Sequence, residues 1–362
     1  MIKSKKGCLL FLVLMPTFVF SQDLVKAKEK NTVIERIKEQ VDSNYVFVEK
    51  VEYINNSLDS LSKTKKYKSL KEHKAFADAL TEDLVAITKD KHFKVQYNPA
   101  LIKSRREWRE RMRQEQEDQG NDEEEAIDWN YWYAQKENFG LAKIEILDGN
   151  IGYIKSTFWQ PLDWVKPTFD ATMAFVAHTD ALIIDLRENQ GGYSPSDSYL
   201  GSYFFKADST LWNSSYNRPT GETTPQYTFK EVGGTRYLDK PVFILIGEET
   251  FSLAEKFAYS MKHFNKATII GQTSAGAAHS IDFIELNDNY AIQIPISYNI
   301  HPVTKTDWEG TGVIPDVKTA KEETLKVAYL NALEKLIERA KKDDYKTLLK
   351  RYDKIKAEIN NR

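Results

Sequence analysis

The sequence predicts an α/β protein whose sheet strands are buried on both faces, with a small helical layer beside it. Three observations carry this. Short apolar runs rich in β-branched and aromatic residues, at 181–186, 241–246 and 267–270, alternate with segments of helical periodicity between Ala142 and Val317. A hairpin signal, Asp148-Gly149-Asn150, stands between the runs 142–146 and 151–154. Ahead of both, residues 31–86 repeat apolar side chains only at helical spacing.

The N-terminus comes first in order. Lys3, Lys5 and Lys6 precede an apolar run from Cys8 to Phe20, and Val19-Phe20-Ser21 offers a small residue at a cleavage site. This is the pattern of a secretory signal peptide, too short for a membrane span of about 20 residues. The mature chain is expected to begin near Gln22, exported to a periplasm, cell surface or medium. Cys8 opens the apolar run rather than closing it, which argues against a lipid-anchored N-terminus. It is also the only cysteine, so the exported chain has no disulfide and no thiol nucleophile. Losing three lysines takes the formal charge from −2 to about −5, a surface that does not invite nucleic acid. With 41% apolar and 29% charged residues, the remainder is ordinary globular protein.

The helical stretch divides at Lys63-Thr64-Lys65-Lys66. Val33, Ile34, Ile37 and Val41, then Val48, Val51, Ile54 and Leu58, then Phe76, Leu80 and Leu84, form its faces. A bundle over 22–89 follows, and a strand is expected to begin around 88–95. Residues 101–135 are a charged insertion, with Arg105, Arg106, Arg109, Arg111 and Arg113 ahead of the acidic run 122–125. A solvated helix or mobile segment is the usual meaning of such charge, and a substrate-gating lid is the alternative. Trp129, Trp132 and Tyr133 suggest that its far end packs on something. The α/β core spans 90–320. In it, 163–177 and 196–205 read as helices, 213–234 as a polar loop or edge hairpin, 281–286 and 290–296 as strands, and 307–316 as a loop. Residues 321–362 form a charged helical segment.

One junction could carry chemistry. The buried strand at 241–246 runs through a Gly247–Thr250 turn into a helix marked by Leu253, Phe257, Met261 and Phe264. Ser252 therefore stands where a strand becomes a helix, a place suited to presenting a nucleophile, since free helix N–H groups favour developing negative charge. Ser252 and Glu255 equally fit a capping box. The pair Gly191-Gly192 after another buried strand can bring backbone N–H groups close to a ligand, or simply turn the chain. Of six histidines, His73 and His263 read as surface residues, His178 as a helix cap, and His301 as part of a Pro-flanked turn. His92 and His279 remain as candidate bases, and local sequence does not choose between them.

The motifs Lys-Asp-Lys-His-Phe ending at Phe93, DLRENQGG ending at Gly192, TFSLAE ending at Glu255, GQTSAGAAH ending at His279 and EGTGVIPD ending at Asp316 occur in this order. Together they resemble the tail-specific (C-terminal-processing) serine peptidase superfamily, which shares its catalytic core with tricorn protease. The helical N-terminus is similar to the branch that includes interphotoreceptor retinoid-binding protein. The resemblance implies a crotonase/Clp-protease-like mixed sheet core with flanking helices, and a serine peptidase acting on peptides or exposed protein termini. It implies Ser252 as nucleophile, His92 as general base and Glu309 as the group holding that base. The backbone N–H groups of Gly191, Gly192 and Leu253 would form the oxyanion hole. Ala277 stands where Ser–Lys members carry lysine, and Lys91 stands where tricorn-like members place serine before the histidine. No room is expected for an inserted PDZ domain. The alternative on the same scaffold is a catalytically silent carrier of an apolar ligand or peptide. No metal-ligand spacing, dinucleotide fingerprint or phosphate loop is apparent, so no metal or cofactor is expected.

Overall fold

The computed structural model describes residues 24–117 and 129–360. The N-terminal segment expected to be a signal peptide, with Cys8, and the acidic run 122–125 lie outside the described residues. Helices α1 (Ala27–Asn44), α2 (Val48–Ser62), α3 (Lys65–Ser69) and α4 (His73–Thr88) open the chain. Strand β1 (Lys94–Tyr97) follows, then α5 (Pro99–Glu117) and α6 (Trp129–Lys136). Strands β2 (Leu141–Leu147) and β3 (Ile151–Ser156) form the predicted hairpin, turned by Gly149 and Asn150, both at positive φ. Next come α7 (Leu162–Val176), β4 (Ala181–Asp185), α8 (Ser196–Ser202), β5 (Leu211–Asn217) and β6 (Glu222–Tyr227). The chain continues through β7 (Val242–Ile246), α9 (Leu253–His263), β8 (Thr268–Gly271), β9 (Ser280–Glu285) and β10 (Tyr290–Ile300). It closes with β11 (Val317–Lys318), α10 (Thr324–Lys342) and α11 (Lys346–Asn360).

These strands make two sheets. The larger is mixed, in the order β11-β8-β7-β4-β3-β2, with all neighbours parallel except the β2–β3 hairpin. Every residue of β4 and β7 is buried, as expected of parallel strands covered on both faces. One face packs on α7, α8 and α9 through Val165, Phe169, Phe257 and Met261. The other packs on α10 and α11 through Leu333, Leu336, Tyr352 and Ile355. The buried Tyr352 and Ile355 of α11 carry the C-terminal apolar face beyond Leu349.

The second sheet is antiparallel, in the order β1-β10-β5-β6, with β9 also paired to β10. The polar stretch at 213–234 supplies its edge hairpin, and Pro225 sits in edge strand β6, where a missing N–H does least harm. The N-terminal bundle packs on this sheet. Val33, Ile37, Phe76 and Leu80 share a core with Val95, Tyr290, Ile292 and Ile294. The arginine-rich part of the insertion lies on α5, which is docked on the second sheet. Arg106 bonds Glu285 and Asp288 at 2.6 Å each, Arg109 bonds Glu285, and Arg105 lies 4.5 Å over the Phe283 ring. At its far end Tyr131 meets Trp164 edge-on, whereas Tyr133 is exposed.

Candidate active site

The parallel strands β3, β4, β7 and β8 end on one edge of the large sheet, the edge where α/β folds collect their ligands. After β7, Thr250 ties the turn down: its hydroxyl donates to the Leu186 carbonyl at 2.7 Å and accepts from the Gly247 N–H at 2.9 Å. The next residues bring Ser252 to the N-cap of α9 with φ 52° and ψ −117°. A side-chain-bearing residue in so sparsely populated a region costs about 1–3 kcal/mol and persists only when its surroundings impose it. Glu255 does much of the imposing. Fully buried, its carboxylate accepts from the N–H of Ser252 at 2.8 Å, Gly276 at 2.7 Å and Ala277 at 2.9 Å, and from the Ser274 hydroxyl at 2.6 Å. Burial pushes this carboxyl upward against the pull of those four hydrogen bonds.

The glycine pair lies directly against this turn. A Cβ on Gly191, at φ 91°, would stand 2.9 Å from the Leu253 nitrogen, the Phe251 carbonyl oxygen and Ser252 Cβ. A Cβ on Gly192, at φ 144°, would collide with the Trp159 carbonyl oxygen at 1.9 Å. The three expected oxyanion donors are not equivalent. The Gly191 N–H already donates to Asn189 Oδ1 at 2.8 Å, so the expectation for Gly191 is corrected: it shapes the turn and is not a free donor. The N–H groups of Gly192 and Leu253 have no hydrogen-bond acceptor among the described residues.

His92 lies between α4 and β1, its side chain 10% exposed. Its Nδ1 faces two carboxylates, Asp90 Oδ1 at 3.1 Å and Glu309 Oε1 at 3.3 Å. Burial alone would lower the imidazole, but bonding to Asp90 and Glu309 outweighs it and raises the pKa to about 9. Asp90 is the hub. Its Oδ1 also accepts the His92 N–H at 3.0 Å, and its Oδ2 accepts from His279 Nδ1 at 3.1 Å. Burial would raise this carboxyl; the bonds from His279 and His92 hold it well below the usual carboxylate range instead. Glu309 is fixed through Oε2 by the N–H groups of Ala278 at 2.8 Å and His279 at 3.2 Å. Its Oε1 is buried without a hydrogen bond. One ligand atom from each of Asp90, His92, His279 and Glu309 lies within 4.8 Å of the others, a set that could hold a metal ion.

Both halves of the site grip one loop. Gly276 and Ala277 donate to Glu255 behind Ser252, and Ala278 and His279 donate to Glu309 behind His92. Among the described residues no hydrogen bond joins Ser252 to His92, and His92 Nε2 has no partner. Glu255 was missing from the residues expected to support catalysis, because the capping-box spacing revealed only the local half of what it does; Asp90, two residues before His92, stands where a link between His92 and Glu309 was open in the sequence. His73, expected at the surface, is buried, bonded through Nδ1 to Tyr290 Oη at 2.8 Å and stacked on Tyr97. His301 is also buried and is held at about 4 by burial, with His263 and Lys305 adding to the effect.

A strained serine at a strand-to-helix turn, two unused amides beside it and a histidine backed by carboxylates are the parts of a serine-type hydrolase. Residues 150–319 match peptidase family S41, and residues 22–129 match the N-terminal domain of Peptidase_S41 in eukaryotic IRBP; the chain thus carries an S41 peptidase domain together with the S41 N-terminal domain, and S41 peptidases are serine-type hydrolases. It is 22% identical over 189 residues to carboxy-terminal processing protease CtpA of Bacillus subtilis (strain 168), covering 52% of this chain and 39% of the relative. It is 25% identical over 180 residues to a carboxy-terminal-processing protease of Bartonella bacilliformis, covering 47% and 39%. The chain thus spans about two fifths of the length of the curated relatives it matches. The structure of a putative peptidase from Parabacteroides merdae shares the fold, with TM-score 0.55 and 17% identity over 82% of this chain and 92% of that one. No helix among the described residues is long and apolar enough to cross a membrane.

Proposed function

We propose that this protein is an exported serine peptidase that hydrolyses peptide bonds in peptides or exposed protein termini. Ser252 Oγ attacks the scissile carbonyl carbon, and its proton passes to His92 Nε2. Asp90 accepts from His92 Nδ1–H and the Glu309 carboxylate stands 3.3 Å from the same nitrogen, which fixes the tautomer and steadies the imidazolium that forms. The carbonyl oxygen, now negative, accepts from the N–H groups of Gly192 and Leu253, each such donor being worth about 3 kcal/mol. His92 returns the proton to the departing amine as the C–N bond breaks, leaving an acyl-enzyme. Water then repeats the cycle and frees Ser252.

The single observation that carries this reading is the backbone at Ser252, a non-glycine residue at φ 52° and ψ −117° beside two unused amides. A cap needs no such conformation, since capping residues ordinarily adopt extended backbone. Because Ser252 and His92 are not hydrogen-bonded at rest, substrate binding must bring them together, as apo geometries often require. That same gap favours a second reading, a catalytically silent carrier, with a cleft of about 500 Å³ beside His279 and lined by Tyr45, Phe47 and Tyr298. Fluorophosphonate labelling separates the two. The peptidase reading expects stoichiometric labelling at Ser252, and loss of peptide hydrolysis in folded Ser252→Ala and His92→Ala proteins. An unlabelled, inactive wild-type protein that binds peptide or apolar ligand would establish the carrier instead.

A further inference from the structure

The Asp90–His92–His279–Glu309 cluster does more than hold a base. Its four side chains come from three distant parts of the chain and present two imidazole nitrogens and two carboxylates to a common point. A zinc ion binds nitrogen and oxygen at about 2.0–2.2 Å, so tetrahedral ligands stand about 3.4 Å from one another. Here His92 Nδ1 lies 3.1 Å from Asp90 Oδ1 and 3.3 Å from Glu309 Oε1, and His279 Nδ1 lies 3.1 Å from Asp90 Oδ2 and 3.6 Å from Glu309 Oε2. These contacts use both oxygens of each carboxylate; taken one atom per residue, the four ligand atoms lie within 4.8 Å of one another, so the cluster must contract about an ion to reach tetrahedral spacing.

The surroundings suit an ion as well as a hydrogen-bonded cluster. Glu309 Oε1 and Tyr45 Oη are buried polar atoms without hydrogen bonds, and both residues line the cleft of about 500 Å³ that Asp90 and His279 also line. That cleft is an entry path, although Lys50, Lys89 and Lys305 on its wall work against a cation. An outer shell is already in place: backbone N–H groups hold Asp90 Oδ1 and Glu309 Oε2, and His279 Nε2 stands 3.7 Å from Asp307.

We infer that this cluster binds one divalent first-row transition metal ion, zinc by its donor set, and that the occupied site is the off state of the enzyme. The second half rests on the peptidase reading. With His92 Nδ1 bound to a metal, the ring keeps its proton on Nε2 and has no lone pair to accept from Ser252.

Zinc alone, titrated calorimetrically into chelator-treated protein, tests the binding. One site per chain is expected, with Ser252→Ala unchanged and with His279→Gln and Glu309→Gln each weakened tenfold or more. Cobalt should give the visible absorption of a tetrahedral centre in wild type and lose it in His279→Gln. Near-ultraviolet circular dichroism checks that the variants fold, and the two glutamine side chains keep hydrogen-bonding capacity at each position. Absence of saturable binding, or equal binding by folded variants, overturns the metal site. Zinc should abolish hydrolysis and chelator restore it; bound zinc with full hydrolysis overturns the off state. If metal-free protein neither hydrolyses peptides nor labels at Ser252, the peptidase reading fails, while the calorimetry still decides the site.

Discussion

Glu255→Gln tests whether one buried carboxylate sets the geometry of Ser252. The side chain keeps its shape but exchanges an oxygen for an NH2 group that must face hydrogen-bond donors. In the better orientation this NH2 points to the Ser274 hydroxyl, which can turn and accept, leaving the Gly276 N–H unpaired. An unsatisfied buried donor costs about 1–3 kcal/mol, and the surviving bonds fall from charge-assisted to neutral strength. Relief of the buried charge offsets part of this, since burial disfavours the ionised form. The expected net loss is about 3 kcal/mol, read as a lower midpoint in urea. The Ser252 N–H keeps its acceptor at the Oε2 position, but the bond becomes neutral and holds the positive φ less firmly, so kcat should fall about tenfold or more with KM changing less. Stability within about 0.5 kcal/mol of wild type, or an unchanged kcat, would refute the reasoning.

Three further outcomes follow from the structure. Gly191→Ala should lower stability measurably and abolish hydrolysis, because its methyl group meets the Ser252–Leu253 turn at 2.9 Å on a backbone at φ 91°; an active Gly191→Ala protein would contradict the packing. His301 is buried with a folded-state pKa of about 4, so the unfolded chain takes up its proton first as pH falls from about 6.5. Its stabilisation is complete above that pH and is lost towards pH 4, by up to about 3 kcal/mol. His263, also lowered by burial, acts in the same direction. Unfolding free energies measured from pH 7 to 4 should therefore fall less steeply in His301→Gln. In chelator, kcat/KM should climb about tenfold per unit of pH and level off near 9, where His92 loses its proton. A profile already flat at pH 6.5 would remove His92 from the base's role.

The large sheet was legible because its strands are short apolar runs between helical repeats, and tertiary packing did not overrule those local preferences. The second sheet was not. Its strands β9 and β10 could be read singly, but the pairing of Lys94 with Gln293 is set by burial of the N-terminal helices and leaves no local trace. Ser252 was visible as a junction, and Glu255 only as half of a capping box, because its other partners lie on a loop some 20 residues away. His73 was misread for the same reason: its polar neighbours in sequence hide a bond to Tyr290 across 217 positions. Arg106 and Arg109 read as solvated charge, and only the β9–β10 hairpin shows why their helix is docked. The meeting of Asp90, His92, His279 and Glu309 follows from chain topology, which no motif spacing encodes.

The account's central claim is that Ser252 is chemically activated through His92. Its most direct test is the rate of fluorophosphonate modification, followed by mass spectrometry, in wild-type, Ser252→Ala and His92→Ala proteins freed of metal. Rapid single-site labelling of wild type at Ser252, none in Ser252→Ala and a rate at least a hundredfold lower in His92→Ala is the predicted result. Equal labelling of wild type and His92→Ala, or none in either, would contradict it.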